Sequence, residues 1–169
     1  VLLVVAIVGS VLFLVNILSR GRSSLSLEDV AVGSDRTVYV ADAYHDRIQK
    51  FDENGKFLGS WGNSGSGNGE FDSPDGIAVD SSDNVYVADT SNDRIQKFDE
   101  KGKFLTSWGS YGDANGEFDS PDGIAVDNYG IQSNVYVADT SNDRIQKFDS
   151  NGKFIVTFEA ESNANGTTN

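Results

Sequence analysis

The twelve residues ADTSNDRIQKFD occur twice, at 88–99 and 138–149, and a near copy, ADAYHDRIQKFD, stands at 41–52. A chain that writes one phrase three times folds as three copies of one unit, each burying its apolar surface against the next. Displacement by 47 residues lays LEDVAVGSDRTVYVAD (27–42) on PDGIAVDSSDNVYVAD (74–89) without a gap. The third copy, PDGIAVDNYGIQSNVYVAD (121–139), carries three extra residues between its apolar runs. Helical repeats of this length need stretches of about ten residues with apolar positions every three or four, and none occurs.

Each copy instead breaks into short apolar runs divided by Gly, Asn and Asp. In the second these are IAVD (77–80), VYVAD (85–89), RIQKFD (94–99) and KFLTSW (103–108). DENG (52–55), DEKG (99–102) and DSNG (149–152) join the third and fourth runs, with Asp to bond its own backbone and Gly to supply positive φ, so these are hairpin turns. VYVA is apolar at alternate positions on both faces, Val85 and Val87 on one, Tyr86 and Ala88 on the other, as a strand sandwiched between neighbouring sheets requires. Four strands repeated at 40 to 50 residues predict an all-β chain of propeller blades. The expected organisation is blade 1 at 27–62, an inter-blade loop at 63–73, blade 2 at 74–109, a second loop at 110–120 and blade 3 at 121–158.

Residues 27–158 resemble the NHL-repeat family of β-propellers, through GEFDSPDGIAVD (69–80, and again at 116–127), VYVAD and ADTSNDRIQKFD. The first copy departs from the pattern, with SLEDVAVG in place of the Pro-Asp-Gly entry. The resemblance implies a six-bladed ring, of which three blades are half, used mainly as a platform for binding protein and in some members RNA; a related set of propellers are lyases with a metal in the channel. An open three-blade arc leaves an apolar face at each end, so the chain is expected to be a piece of a longer protein or to pair with a second copy into one six-bladed ring.

A ligand contact is needed once, whereas a tie between blades is needed every time. Asp42, Arg47, Asp89, Arg94, Asp139 and Arg144 recur at the turn between the second and third strands and are read as scaffold, the Arg forking into a carboxylate of its own or the next blade. Asp75 and Asp122 receive the same reading. Positions where the copies differ, or that share a turn with those, form the candidate binding face: Tyr44, His45, Ser91, Asn92, Ser141, Asn142, Tyr111 and Asp113. The insertion at 128–133 lengthens a loop on the other face.

A net charge of −13 excludes a phosphate backbone as partner, since such binding runs on Lys and Arg. One His and no Cys leave neither a multi-imidazole metal site nor a thiolate one. DSSDN (80–84) and DNYG (127–130) do not fit a calcium loop, and GNSGSGNGE (62–70) precedes a strand rather than a helix, so it is no phosphate cradle. Neither catalytic residue nor cofactor is expected.

Ahead of the repeats, residues 1–19 hold only Ser10, Asn16 and Ser19 as polar side chains, which predicts a transmembrane helix or signal anchor, with a linker at 20–26. Val1 lies in mid-run without a Met, so residues are expected to precede it. Arg20 and Arg22 alone would hold the blades in the cytoplasm and a basic stretch upstream would reverse this; an extracytoplasmic propeller is expected. The polar end, 159–169, reads as a disordered tail. The functional expectation is a membrane-anchored, non-enzymatic scaffold for protein or envelope components, against the alternative of a lyase-like enzyme.

Overall fold

A computed structural model describes residues 5–8, 11–14, 27–128 and 133–159. Three four-stranded antiparallel sheets follow one another along the chain, each a meander whose strands pair in sequence order. Blade 1 holds β3 (Leu27–Val32), β4 (Val38–Asp42), β5 (Arg47–Phe51) and β6 (Phe57–Trp61). Blade 2 holds β7 (Pro74–Val79), β8 (Val85–Asp89), β9 (Arg94–Phe98) and β10 (Phe104–Trp108). Blade 3 holds β11 (Pro121–Asp127), β12 (Asn134–Asp139), β13 (Arg144–Asp149) and β14 (Phe154–Glu159). The first strands, β3, β7 and β11, lie against one another, so they form the inner side of the arc.

The helix expected over residues 1–19 needs correction. Val5–Val8 (β1) and Val11–Leu14 (β2) are strands, paired antiparallel with Val5 opposite Leu14 and Val8 opposite Val11. A run rich in Val and Ile satisfies a strand as readily as a helix. Among the described residues no helix is long and apolar enough to cross a membrane. The linker, most of the 128–133 insertion and nearly all of the polar tail lie outside the described residues.

Each blade buries both faces wherever it has two neighbours. Val85, Val87 and Phe98 pack on Tyr39, Ala41 and Ile48 of blade 1. From the opposite face of the same strands, Tyr86, Ala88 and Ile95 pack on Val135, Val137 and Phe148 of blade 3. One loop aromatic completes each seam, Phe71 in the first and Phe118 in the second. β8 is buried along its whole length, as its two apolar faces demand.

The inner strands start earlier than IAVD suggests, because a bulge between Pro74 and Ile77, repeated between Leu27 and Val30 and between Pro121 and Ile124, extends the pairing back to Pro74, Leu27 and Pro121. At this bulge Gly76 sits where a Cβ would run into the Asp122 carbonyl oxygen of the next blade.

Candidate functional site

The turn after each second strand is a single 3₁₀ turn closed by an Asp in the left-handed region, Asp46, Asp93 and Asp143, a conformation that Asp tolerates. It brings Asp89, Asn92 and Arg94 together, and β9 adds Gln96. The Asp89 carboxylate is fully buried and accepts from the Asp72 N–H at 2.8 Å, Asn92 Nδ2 at 3.0 Å, Arg94 Nε at 2.6 Å and Gln96 Nε2 at 3.0 Å. Burial pushes its pKa up, and these donors pull against that.

Arg94 reaches the carboxylate of its own blade, as the sequence suggests, but through Nε alone rather than as a fork. Its terminal nitrogens donate to three main-chain carbonyls of the preceding inter-blade loop: Ser66 at 2.7 Å, Gly67 at 2.8 Å and Glu70 at 3.0 Å. Gln96 donates to the Glu70 carbonyl at 2.6 Å and accepts from the Gly69 N–H at 2.9 Å, while Asn92 donates to the Gly65 carbonyl at 2.9 Å. Blade 3 repeats the clamp with Asp139, Asn142, Arg144 and Gln146 gripping Gly112, Asp113, Ala114 and Glu117. Blade 1 holds Asp42, Arg47 and Gln49 at 2.8 Å, with His45 Nδ1 at 2.8 Å taking the place of Asn92.

These bonds place the turns and the inter-blade loops on one face. The side-chain amides of Asn92 and Asn142 are consumed in the clamp, and His45 faces Asp42 with one nitrogen. Tyr44 is 56% exposed and meets His45 edge-on at 4.9 Å; Tyr111 is 74% exposed in the second loop. Ser91, Ser141 and Asp113 are exposed on the same face, with main-chain atoms tied down through Asp72, Asp119 and Arg144. Gln96 and Gln146, which the sequence reading passed over, are fully buried; the sign available was a polar residue held constant inside an apolar strand.

At the inner side, the bulges carry Glu28, Asp75 and Asp122, equivalent positions of three blades. Burial first, then the charges of Glu28 and Asp122, push the Asp75 pKa up to about 6. Asp29 accepts the Ile77 N–H at 3.1 Å across the first seam. Among the described residues no group of three or more His, Cys, Asp or Glu is arranged to hold a metal ion. The carboxylates of the acidic turn at 80–84 are taken up by protein donors: Asp80 accepts from Ser82 N–H, Asn84 and the Tyr86 hydroxyl, and Asp83 accepts from Ser34 of blade 1, while the Ser81 N–H donates to Asn128 of blade 3.

The model for a family described as a six-bladed β-propeller matches residues 81–165, and that for the SMP-30/gluconolactonase/LRE-like region matches 33–113. No curated protein matches the chain. Among solved structures, hydrazine synthase of Kuenenia stuttgartiensis is 16% identical with a TM-score of 0.62, covering 85% of this chain and 39% of that one. Virginiamycin B lyase from Staphylococcus aureus is 15% identical with a TM-score of 0.60, covering 82% and 42%. The WD40 repeats of RRP9 are 17% identical with a TM-score of 0.63, covering 83% and 40%. The chain thus spans about two-fifths of each of these structures, and what they share at this identity is the fold.

Proposed function

The chain belongs to the six-bladed β-propeller family, and on that premise we propose that it is a non-enzymatic scaffold whose loop face docks a protein or envelope component. One observation carries this reading. On the loop face the repeat-constant Asp, Asn and Arg side chains are spent in holding loops, while Tyr44 and Tyr111, absent from the other copies, stand 56% and 74% exposed. Aromatic side chains offer large contact area at low entropic cost, which is why they concentrate at docking surfaces. The acidic charge of −13 favours a basic or neutral partner over nucleic acid. Attachment to a membrane through the apolar run of residues 1–19 completes the proposal and rests on the hydropathy of that run.

A photo-crosslinking side chain placed at Tyr44 or Tyr111 in cells tests the face, with Leu105 on the outer strand as control. Discrete adducts from the two loop positions and none from Leu105 are expected. Adducts of equal yield from Leu105 would refute the assignment. Elemental analysis of the purified chain addresses the enzymatic alternative, since a tight, stoichiometric metal would favour catalysis over a plain scaffold.

A further inference from the structure

The dipeptide Asn-Gly occurs four times among the described residues, at 54–55, 68–69, 115–116 and 151–152, and each of the four Asn is exposed. It is the most reactive setting for an Asn side chain, because Gly has no Cβ to keep its own nitrogen from turning onto the Asn side-chain carbonyl carbon. Once that nitrogen has given its proton to water or hydroxide it bonds to Cγ. The Cγ–Nδ2 bond breaks, ammonia leaves with a proton from water, and a cyclic imide remains. Water then opens the imide at either carbonyl, so the sum is Asn plus water to ammonia plus aspartate or isoaspartate.

The Gly N–H decides whether this runs in the folded chain. In the hairpin turns it is held within the turn itself, Gly55 donating to the Asp52 carbonyl and Gly152 to that of Asp149, both at 3.0 Å. In the inter-blade loops it is held from another strand. Asn68 and Gly69 form the centre of a β-turn closed by the Glu70 N–H on the Gly67 carbonyl at 3.1 Å, and the Gly69 N–H donates to Oε1 of buried Gln96 at 2.9 Å. The second loop repeats this, its turn closed from Glu117 to Ala114 at 3.0 Å and its Gly116 N–H on Gln146 Oε1 at 2.8 Å. Ahead of each Asn the backbone is gripped too. The Gly67 carbonyl accepts from Arg94 and its N–H donates to the Glu70 carboxylate, both at 2.8 Å; Ala114 meets Arg144 and Glu117 alike, at 2.9 and 3.1 Å. A nitrogen whose proton is engaged, in a peptide fixed on both sides, neither ionises readily nor turns onto Cγ.

We propose that Asn68 and Asn115 are self-modification sites, kept unreactive by Gln96 and Gln146 and released when the clamp opens. The four dipeptides then fall into two kinds. The hairpin pair depends on a bond inside its own turn, whereas the loop pair depends on a side chain 27 or 30 residues away. Opening of a clamp is thus recorded chemically in the loop it holds, and the record is one-way. Isoaspartate carries the main chain through the former side chain and lengthens it by a methylene between the Gly67 carbonyl held by Arg94 and the Gly69 N–H held by Gln96. The two grips no longer register together, and the new carboxylate adds negative charge to the loop face. The inference does not depend on what that face binds.

The full chain, purified in a mild nonionic detergent and kept at mildly alkaline pH and body temperature, is followed by peptide mapping with electron-transfer fragmentation, which separates isoaspartate from aspartate. In the wild type, conversion at Asn68 and Asn115 should be slower than in the same chain unfolded in urea, by on the order of tenfold or more. Equal rates overturn the proposal. Gln96→Met keeps the bulk of the side chain and removes its carbonyl oxygen. It should speed conversion at Asn68 on the order of tenfold and leave Asn54, Asn115 and Asn151 unchanged, and Gln146→Met should do the same at Asn115 alone. Circular dichroism checks that each variant keeps its β spectrum; the two clamps are separate, so either variant suffices, and the urea comparison needs neither. No acceleration in a folded variant overturns the guarding role. Equal acceleration at all four positions overturns it as well, by making the Gln a support of the whole fold rather than of one amide.

Discussion

Replacing Arg94 with Ala should destabilise the blades far more than replacing His45, although both side chains bond the homologous Asp of their blade. Arg94 is 13% exposed and makes four hydrogen bonds, one charge-assisted to buried Asp89 and three to loop carbonyls. Loss of the charge-assisted bond costs about 1.5–3 kcal/mol, and the carbonyls, which water reaches in part, about 0.5 kcal/mol each. The sum, with partial relaxation, is about 3 kcal/mol. His45 is 40% exposed and makes one bond, so His45→Ala should cost about 0.5–1 kcal/mol. At about 3 °C per kcal/mol for a chain of this size, the difference is roughly 6–8 °C in Tm. Calorimetry together with urea titration of both variants measures it. Midpoints equal within error would refute the claim that Arg94 holds the loop.

Asp75→Asn tests the inner carboxylates. A folded pKa raised to about 6 from 3.8 means the folded state favours the protonated acid, so its stabilisation is full below pH 3.8 and is lost as the pH rises through 6. After a discount for solvent screening, Asn at this position should add about 1 kcal/mol at pH 7 and remove that part of the pH dependence; an unchanged pH profile would contradict it. Gly102→Ala should cost on the order of 2 kcal/mol or more, because a Cβ there comes within 2.6 Å of the Trp61 ring. Gly116→Ala, also at positive φ but with nothing within 4 Å, should cost only about 1 kcal/mol; equal losses by urea titration would count against the seam packing. Tyr44→Ala and Tyr111→Ala should each leave stability within about 0.5 kcal/mol while abolishing the photo-adduct of the neighbouring position; a large drop in Tm would reassign them to the scaffold.

The blades were legible because their signals are local: VYVA shows its two apolar faces within four residues, and the Asp-x-x-Gly hairpin carries its own turn chemistry. The scaffold reading of Asp89 and Arg94 came from repetition alone, and it anticipated the carboxylate that Arg94 bonds but not the loop that it holds. Its carbonyl acceptors lie 24 to 28 residues upstream, in a loop whose course no local pattern reveals. Gln96 escaped for the same reason, since a polar side chain in a strand reads as exposed until the loop that covers it is in place. The segment 1–19 was read by length and hydropathy, which do not separate a membrane helix from paired strands of Val and Leu; Gly9-Ser10, between two apolar runs, was the hairpin signal available.

Because the clamp binds main-chain carbonyls, it is indifferent to the side chains it holds. Ser66 and Gly67 in one loop become Asp113 and Ala114 in the next, and Arg94 and Arg144 make the same contacts with both. Mutations in such a loop change what the face displays without loosening its anchorage, so specificity can drift by natural selection while stability stays level. For engineering, the same property makes the two inter-blade loops sites for grafting: foreign residues at 63–64 and 110–111 keep their mooring so long as the gripped backbone, its glycines and the paired Glu remain.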